Sequence, residues 1–303
     1  MQTRVVSVAN QKGGVGKTTT VINLAACIAE MDLNVLVVDL DPQANATSGL
    51  GLPRQQDTSL YKALLGDGDV TNIVQPTPVK GIDIIASELD LAGSEVDIAR
   101  MDNYLHCFSA ALAPVVEACA YHFIIIDCPP SLGILTMNAL TASHSMVVPM
   151  QCEYYALEGL SVITRLIRQL RDSGANPGVE LEGILMTMYD GRTNLSGEVV
   201  NEVRKHFGDE VYKTVIPRNV RLSEAPSHGQ PVIHYDRGST GAKAYIEFSK
   251  EFVARAEAFI TGGQHLAMPA TPQQPGEPVQ QPAGAAPEQS PVDLQPETPP
   301  PGN

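Results

Sequence analysis

Short, continuous runs of apolar residues alternate along the chain with longer segments in which apolar positions recur every three or four residues. Continuous apolar runs of roughly four to eight residues are typical of strands that are buried on both faces of a sheet. Seven such runs predict strands, at residues 5–9, 35–40, 82–86, 123–127, 146–150, 184–188 and 212–216.

Helical periodicity occupies the intervals between these strands. It predicts helices at about 18–30, 94–120, 157–172, 198–207 and 242–260. Strands that alternate with helices predict an α/β fold with a doubly wound, mostly parallel sheet and helices on both faces. In such a fold, ligands bind at the carboxyl ends of the strands.

The composition of the chain changes after Gly262. From there on, proline recurs among Gln, Ala and Glu, and a segment of this kind cannot pack a core. We therefore expect a globular domain at 1–262 and a disordered or polyproline tail at 263–303. The tail is either a simple spacer or a segment with binding partners of its own.

Charge and cysteine usage narrow the class of protein. A net charge of −14 argues against a protein that coats nucleic acid indiscriminately, but half of the 20 Lys and Arg residues fall between Arg192 and Arg255, so a local basic face remains open. No apolar run approaches about 18 residues and the N-terminus leads directly into a strand, so we expect no membrane span and a cytoplasmic location. The five cysteines show no C-x-x-C spacing and predict reduced, buried thiols.

The loop between the first predicted strand and the first predicted helix reads QKGGVGKTT. Gly13, Gly14 and Gly16 allow backbone N–H groups to close around phosphate oxygens, while Lys17 suits the β- and γ-phosphates and Thr18 suits Mg²⁺. A strand, a glycine loop and a helix together place the phosphates at a helix N-terminus, which favours anions. A turn that merely needs glycines would not explain the lysine and threonine that follow them.

Two later strands end in carboxylates. Asp39 and Asp41 follow the second strand, and a carboxylate there can order the attacking water. We assign that role to Asp41, which is nearer the loop; the alternative is that the pair caps the turn at Pro42. Asp127 ends the run 123–127, and in phosphate-loop NTPases such an aspartate supports the Mg²⁺ that the loop hydroxyl also holds.

A second lysine in the loop departs from the usual pattern G-x-x-x-x-G-K-[ST]. Gln11 stands where that pattern has glycine, and Lys12 follows it, too early to duplicate Lys17. Catalysis of phosphoryl transfer is positioning plus charge stabilisation, and the γ-phosphoryl still lacks an extra cation. Lys12 is the candidate for that cation if it crosses from a second subunit.

These residues resemble the deviant Walker A family of ATPases, the ParA/Soj/MinD group, whose signature is matched by KGGVGKTT at 12–19. Further stretches narrow the resemblance to chromosomal ParA (Soj) proteins. They are VDLDPQANATSG at 38–49, IDCPPS at 126–131, QCEYYALEG at 151–159 and IPRNVRLSEAPS at 216–227. The resemblance covers about residues 3–260 and leaves the Pro-rich tail outside it.

The resemblance implies an ATP-bound sandwich dimer in which Lys12 of each subunit reaches the phosphates of the other. It implies that this dimer binds nucleoid DNA without sequence preference, and that a ParB-type centromere-binding partner stimulates slow hydrolysis and so drives segregation of cargo DNA. By position, the family's DNA-contacting arginines fall on Arg192 and Arg221, and the adenine-side contacts fall on Pro217 and Asn219. The other nucleotide contacts run through the loop, at Lys12, Gly13, Gly14, Val15, Gly16, Lys17, Thr18 and Thr19.

Three other functions compete with this one. A MinD-like membrane-cycling ATPase needs a C-terminal amphipathic helix with a basic face, whereas residues 258–263 run into a mildly acidic, Pro-rich tail. A reductase-type relative needs cysteines that hold an iron–sulfur cluster between subunits, and Cys128 and Cys152 do not fit the expected pattern. A metabolic kinase would use the phosphate loop equally well, but it leaves Lys12 unexplained and no second-substrate site is visible.

Overall fold

One sheet organises the computed structural model, which describes residues 2–54, 60–153 and 156–260. Within these residues the strand order is β3-β4-β2-β5-β1-β6-β7-β8, and all neighbours are parallel except β3 and β4. The strands are β1 Arg4–Val8, β2 Val35–Asp39, β3 Val74–Pro76, β4 Ile82–Ile85, β5 Phe123–Asp127, β6 Ser145–Gln151, β7 Glu180–Tyr189 and β8 Val211–Pro217. The predicted doubly wound, mostly parallel sheet is confirmed.

Helices link the strands. Those in the described part of the chain are α1 Lys17–Ala29, α2 Asn45–Gly49, α3 Tyr61–Leu64, α4 Leu91–Ile98, α5 Cys107–Glu117, α6 Ile134–Ala142, α7 Ala156–Asp172, α8 Asn194–Phe207, α9 Val220–Glu224, α10 Val232–Tyr235 and α11 Thr240–Ile260.

The strands are buried on both faces, as their continuous apolar runs predict. Val5 packs into one hydrophobic core and its neighbour Val6 packs into another, and Ile124 and Ile125 divide in the same way. Because successive side chains of a strand point to opposite faces, the sheet has a core on each side. These two cores fix the strand ends, and with them the site at the carboxyl edge.

Several local expectations were wrong. The helix expected at 94–120 is two helices, α4 and α5, separated by turns that contain Asp102 and Asn103, residues that favour turns. The sequence reading also missed α6, which is buried on nearly every side and therefore lacks an amphipathic period. It missed β3 as well, a three-residue antiparallel edge strand with only one apolar aliphatic residue.

The cysteine expectation holds for four of the five residues. Cys27, Cys107, Cys128 and Cys152 are buried free thiols, whereas Cys119 is exposed just after the end of α5. None of the helices in the described ranges combines the length and the apolar character needed to cross a bilayer. The predicted tail at 263–303 lies outside the described residues.

A buried ion pair closes the amino-terminal end of the sheet. Arg4 on β1 pairs with Glu182 on β7, and both side chains are less than a tenth exposed. The Ser145 hydroxyl donates a second hydrogen bond to the same carboxylate at 2.5 Å. This pair ties β1, β6 and β7 together at the edge opposite the phosphate loop.

We expect Glu182→Gln to lower the free energy of unfolding by about 3 kcal/mol, because it leaves the Arg4 charge buried without a counter-charge. Urea unfolding measures this. The control is Glu247→Gln, which breaks the exposed Lys250–Glu247 pair and should change stability by less than about 0.5 kcal/mol. Equal effects of the two substitutions would show that the buried pair has no special importance.

Candidate functional site

The phosphate loop lies between β1 and α1, with its backbone held open from behind. Gly14 and Gly16 have φ of 73° and 91°, which side chains other than hydrogen disfavour, and Gly16 immediately precedes the first residue of α1. Thr187 on β7 donates its hydroxyl to the Val15 carbonyl at 2.8 Å, and Gln151 on β6 donates to the Gly14 carbonyl at 3.2 Å. With the carbonyls engaged by neighbouring strands, the loop N–H groups are left for an anion.

Asn10 supports the start of this loop. Its Oδ1 accepts the Lys12 amide at 3.0 Å, and its Nδ2 donates to the Pro149 carbonyl at 2.8 Å. Sequence reasoning missed Asn10, Gln151 and Thr187 as residues that shape the loop. The only feature of the sequence that points to these residues is their position at or near the ends of β1, β6 and β7.

Lys17 opens α1 and is buried. Its Nζ donates to the Lys12 carbonyl at 3.2 Å across the loop. Burial lowers the pKa of Lys17, and the charges of Asp127 and Asp41 oppose that shift. The ammonium therefore lies among carboxylates at the helix N-terminus, where a triphosphate would gain from it.

Asp127 is a carboxylate that neither solvent nor a close hydrogen bond stabilises. It is fully buried, and neither carboxylate oxygen has a hydrogen-bond partner of normal geometry within the described ranges. Burial, and then the charge of Asp39 beside it on β2, raises the pKa of Asp127 well above its usual value, while the nearby Thr18 hydroxyl lowers it. An unpaired carboxylate next to a hydroxyl supplies the hard oxygen ligands that Mg²⁺ prefers, so the residues fit that ion.

Asp39 and Asp41 accept hydrogen bonds from different partners in the segment that follows β2. Asp39 accepts the Thr47 amide and hydroxyl, both at 2.8 Å, and the Asp41 amide at 3.2 Å. Asp39 thus orders the turn that carries Asp41. Asp41 Oδ1 accepts the Gln43 amide at 2.9 Å, and its side chain contributes to the electrostatics of Lys17 and Asp127.

Lys12 points away from the buried groups. Its side chain is 54% exposed and pairs with Glu153 of the same chain, which is 51% exposed. Glu153 belongs to the stretch 151–159 that carries part of the resemblance, but nothing in the sequence connects it with Lys12. Exposure of the ammonium is what a contact with another molecule requires.

A cavity of about 280 Å³ lies beside the loop. It brings together two groups of predicted contacts, Gly16 and Thr19 from the loop with Pro217 and Asn219 after β8. Apolar and polar side chains share the rest of the lining, and a wall that combines the two is typical of a site for a small organic ligand. The remaining lining residues are Thr187, Met188, Ile216, Arg218, Leu222, Ser223, Pro226 and Tyr245.

Asn219 has a structural role in this wall. Its Oδ1 caps α9 by accepting the Arg221 amide at 2.9 Å, and its Nδ2 donates to Thr240 Oγ1 at 2.7 Å. Arg192, a predicted DNA contact, lies in the loop between β7 and α8, whereas Arg221, the other, lies on α9, which follows the short loop after β8. The Arg218 amide joins those loops by donating to the Tyr189 carbonyl at 2.9 Å.

The chain is similar in sequence to several known proteins. A family profile described as an AAA domain matches residues 3–181. The sporulation initiation inhibitor protein Soj of Bacillus subtilis is 51% identical over 252 residues, covering 83% of this chain and 98% of that protein. The chromosome partitioning protein ParA of Myxococcus xanthus is 48% identical over 253 residues, covering 83% of this chain and 88% of that one.

A solved structure supports the nucleotide site. Cobyrinic acid a,c-diamide synthase from Mycobacterium smegmatis, with a bound ATP analog and magnesium, is 36% identical with a TM-score of 0.73. The match covers 89% of this chain and 99% of that one.

The buried carboxylates predict an unusual pH dependence. Burial raises the pKa of Asp39 to about 6, above its value in the unfolded chain, so the folded protein holds an extra proton between pH about 4 and about 6. Stability therefore falls as pH rises through this window. We compare the parent and Asp39→Asn without nucleotide. As pH rises from about 4 to about 6, the free energy of unfolding of Asp39→Asn should increase by on the order of 3 kcal/mol relative to that of the parent, because the amide cannot ionise.

Urea unfolding at successive pH values measures the difference between the two proteins. Any hydrogen bonds that the amide makes poorly add a constant offset and leave the trend intact. A difference in unfolding free energy that stays flat from pH 4 to pH 7 would contradict the assignment.

Proposed function

The chain belongs to the ParA/Soj family of chromosome-partitioning ATPases, and we propose that it acts as an ATP-driven pairing switch that binds DNA without sequence preference. Its cofactors are ATP and Mg²⁺. The observation that carries the proposal is the convergence of Lys17, Thr18 and an otherwise unpaired Asp127 behind an open phosphate loop.

The loop would hold the triphosphate through the backbone of residues 13–16 and through Lys17. Thr18 and Asp127 would hold Mg²⁺, which when bound neutralises charge on the β- and γ-phosphates. The base would enter the cavity between the loop and β8, against Pro217 and Asn219. Thr19, which lines the same cavity, lies between the phosphate and base subsites.

Hydrolysis is an in-line displacement at the γ-phosphorus. Water attacks, the bond to the β,γ-bridging oxygen breaks, and Asp41 accepts a hydrogen bond from the water to orient it. Charge that spreads over the γ-phosphoryl oxygens needs a further cation. Lys12 of a second copy supplies it, so the site is complete only in a dimer.

Pairing must separate Lys12 from Glu153 of its own chain. Because both side chains are about half exposed, this ion pair contributes no more than about 1 kcal/mol and does not prevent release. Lys12 then exchanges one carboxylate for the more highly charged phosphates of the partner. Nucleotide binding and pairing become a single event.

The paired form binds DNA through Arg192 and Arg221, which would contact phosphates rather than bases. The chain has a net charge of −14, so one copy would bind DNA weakly, whereas pairing would present the arginines of both copies to one duplex and add their phosphate contacts. A ParB-type partner stimulates an otherwise slow hydrolysis and releases the dimer from the nucleoid. A membrane-cycling role is less well supported, because residues 261–303 contain no Lys or Arg to attract anionic lipid.

The first test is ATP turnover by the parent and by Lys12→Ala, each with and without DNA and a candidate ParB-type partner. We expect the parent to have a low basal turnover that DNA and the partner stimulate jointly. We expect Lys12→Ala to lose both the basal turnover and the stimulation. The control Lys80→Ala, which removes an exposed lysine elsewhere, should behave like the parent. Undiminished stimulation of Lys12→Ala would rule out the proposed role of that lysine.

The second test separates pairing from hydrolysis. Asp41→Asn keeps an acceptor for the Gln43 amide but removes the charge, so turnover should fall by about 100-fold or more. ATP-dependent dimer formation should persist, as measured by light scattering after size-exclusion chromatography. If turnover is unchanged, Asp41 does not orient the water.

A further inference from the structure

The loops after β7 and β8, together with α9, carry a patch that we name the arginine edge, made of Arg192, Arg218 and Arg221. All three side chains are exposed, and the two loops are joined by the hydrogen bond from the Arg218 amide to the Tyr189 carbonyl. The proposed function gives this edge the task of meeting DNA phosphates. The balance of positive and negative charge at this edge therefore bears on its attraction for DNA.

Arg192 is already paired within its own chain. Its Nε and one terminal nitrogen donate to the two oxygens of Asp190, at 2.8 and 2.6 Å. This fork-on-fork contact lowers the pKa of Asp190, so the carboxylate stays ionised at neutral pH. The Arg192 side chain is nevertheless 85% exposed, so the pair lies on the surface.

Arg221 is paired twice. One terminal nitrogen donates to Glu224 Oε2 at 2.8 Å, and Nε lies 3.2 Å from Asp236 Oδ2. Glu224 comes from the same helix, whereas Asp236 follows α10. A single guanidinium thus lies between two carboxylates.

Arg218 is the exception. No carboxylate of the described residues lies within 4 Å of its guanidinium, although its charge does act on Asp190. The three arginines of the edge and their neighbours Asp190, Glu224 and Asp236 together have a formal charge of zero. A neutral patch on a chain of net charge −14 has no net Coulomb attraction for DNA.

We propose that Asp190, Glu224 and Asp236 hold the arginine edge electrically neutral, so that one protomer binds DNA too weakly and binding becomes conditional on ATP-driven pairing. This inference rests on the proposed function and names its regulation. The acids act as internal competitors of phosphate. Each occupies part of a guanidinium, and each repels a phosphate that approaches the remaining donors.

Two of these acids also support local structure, since Asp190 Oδ1 accepts the Arg192 amide at 3.1 Å and Glu224 Oε2 accepts the Tyr235 hydroxyl at 3.3 Å. Their ion pairs with the arginines contribute little to folding, because most of these side chains are a third or more exposed. Arginine has five N–H donors, so two contacts with Asp190 leave others that a phosphate can still reach. The acids therefore weaken DNA binding without blocking it, which suits a patch that must act only when two copies cooperate.

The test is a variant that combines Asp190→Asn, Glu224→Gln and Asp236→Asn, which gives the edge a charge of +3. Each substitution keeps an oxygen acceptor for its arginine. At about 6 Å in water, removing one like charge is worth about threefold in affinity, so we expect about 30-fold tighter binding of a DNA duplex without nucleotide. Fluorescence anisotropy with a labelled duplex at low salt measures it, with Mg²⁺ and either ADP or a non-hydrolysable ATP analogue.

The control combines Glu117→Gln, Asp172→Asn and Glu247→Gln, three exposed acids on α5, α7 and α11 that change net charge equally. The control should retain the ATP dependence of the parent. The edge variant should bind DNA with ADP, so the ratio of its DNA affinity with the ATP analogue to that with ADP should be smaller. If the parent requires ATP and the edge variant matches either the parent or the control, the inference is wrong and the proposed function stands. A parent that fails to bind DNA in any state overturns both.

Discussion

The ends of β2 and β5 place Asp39 and Asp127 side by side in the sheet register, with no solvent contact for either. This buried pair of like charges governs the chemistry of the site. Burial raises the pKa of both groups, and the charge of Asp39 raises that of Asp127 further. The charge of Asp127 in turn opposes the lowering of the Lys17 pKa by burial. Asp127 has no hydrogen-bonding partner in the described part of the chain. Under the proposed function, Mg²⁺ would relieve this repulsion, and Lys12 of a second copy would supply the further positive charge that the triphosphate needs.

The fold was largely predictable because its strands are buried on both faces. Runs such as 35–40 and 123–127 have no polar face, and no other arrangement hides them. Prediction failed for α6, because a helix buried on nearly every side has no periodic alternation of apolar and polar residues. It also failed for β3, a short polar edge strand that depends on its pairing with β4. It failed again at 94–120, where turn residues interrupt a continuous apolar signal.

The loop between β1 and α1 was predictable because its signal is local in sequence. The loop glycines, Lys17 and Thr18 lie within six positions, and their spacing carries their meaning. The supporting residues are distant: Gln151 lies 137 positions from Gly14, and Glu153 lies 141 positions from Lys12. Only the packing of β1 against β6 and β7 brings them together. The acids beside the arginines are closer in sequence, but nothing in a sequence tells a paired arginine from a solvated one.

Three cations assigned to phosphates share one property. Lys12, Arg192 and Arg221 each rest on a carboxylate of their own chain. Because these pairs are exposed, each contributes little to stability. In our proposal, phosphate competes with each carboxylate when two copies meet around ATP. Nucleotide binding, pairing and DNA binding would then be linked through the same kind of event, the replacement of a carboxylate by a more highly charged anion.

The most direct measurement is a crystal structure of the chain with Mg²⁺ and a non-hydrolysable ATP analogue. We expect a two-fold dimer in which the Lys12 ammonium has left Glu153 and contacts the phosphates of the partner, with the metal ion beside Thr18 and Asp127. A nucleotide-bound single copy that keeps Lys12 on its own Glu153 would contradict the claim that a second subunit completes the site.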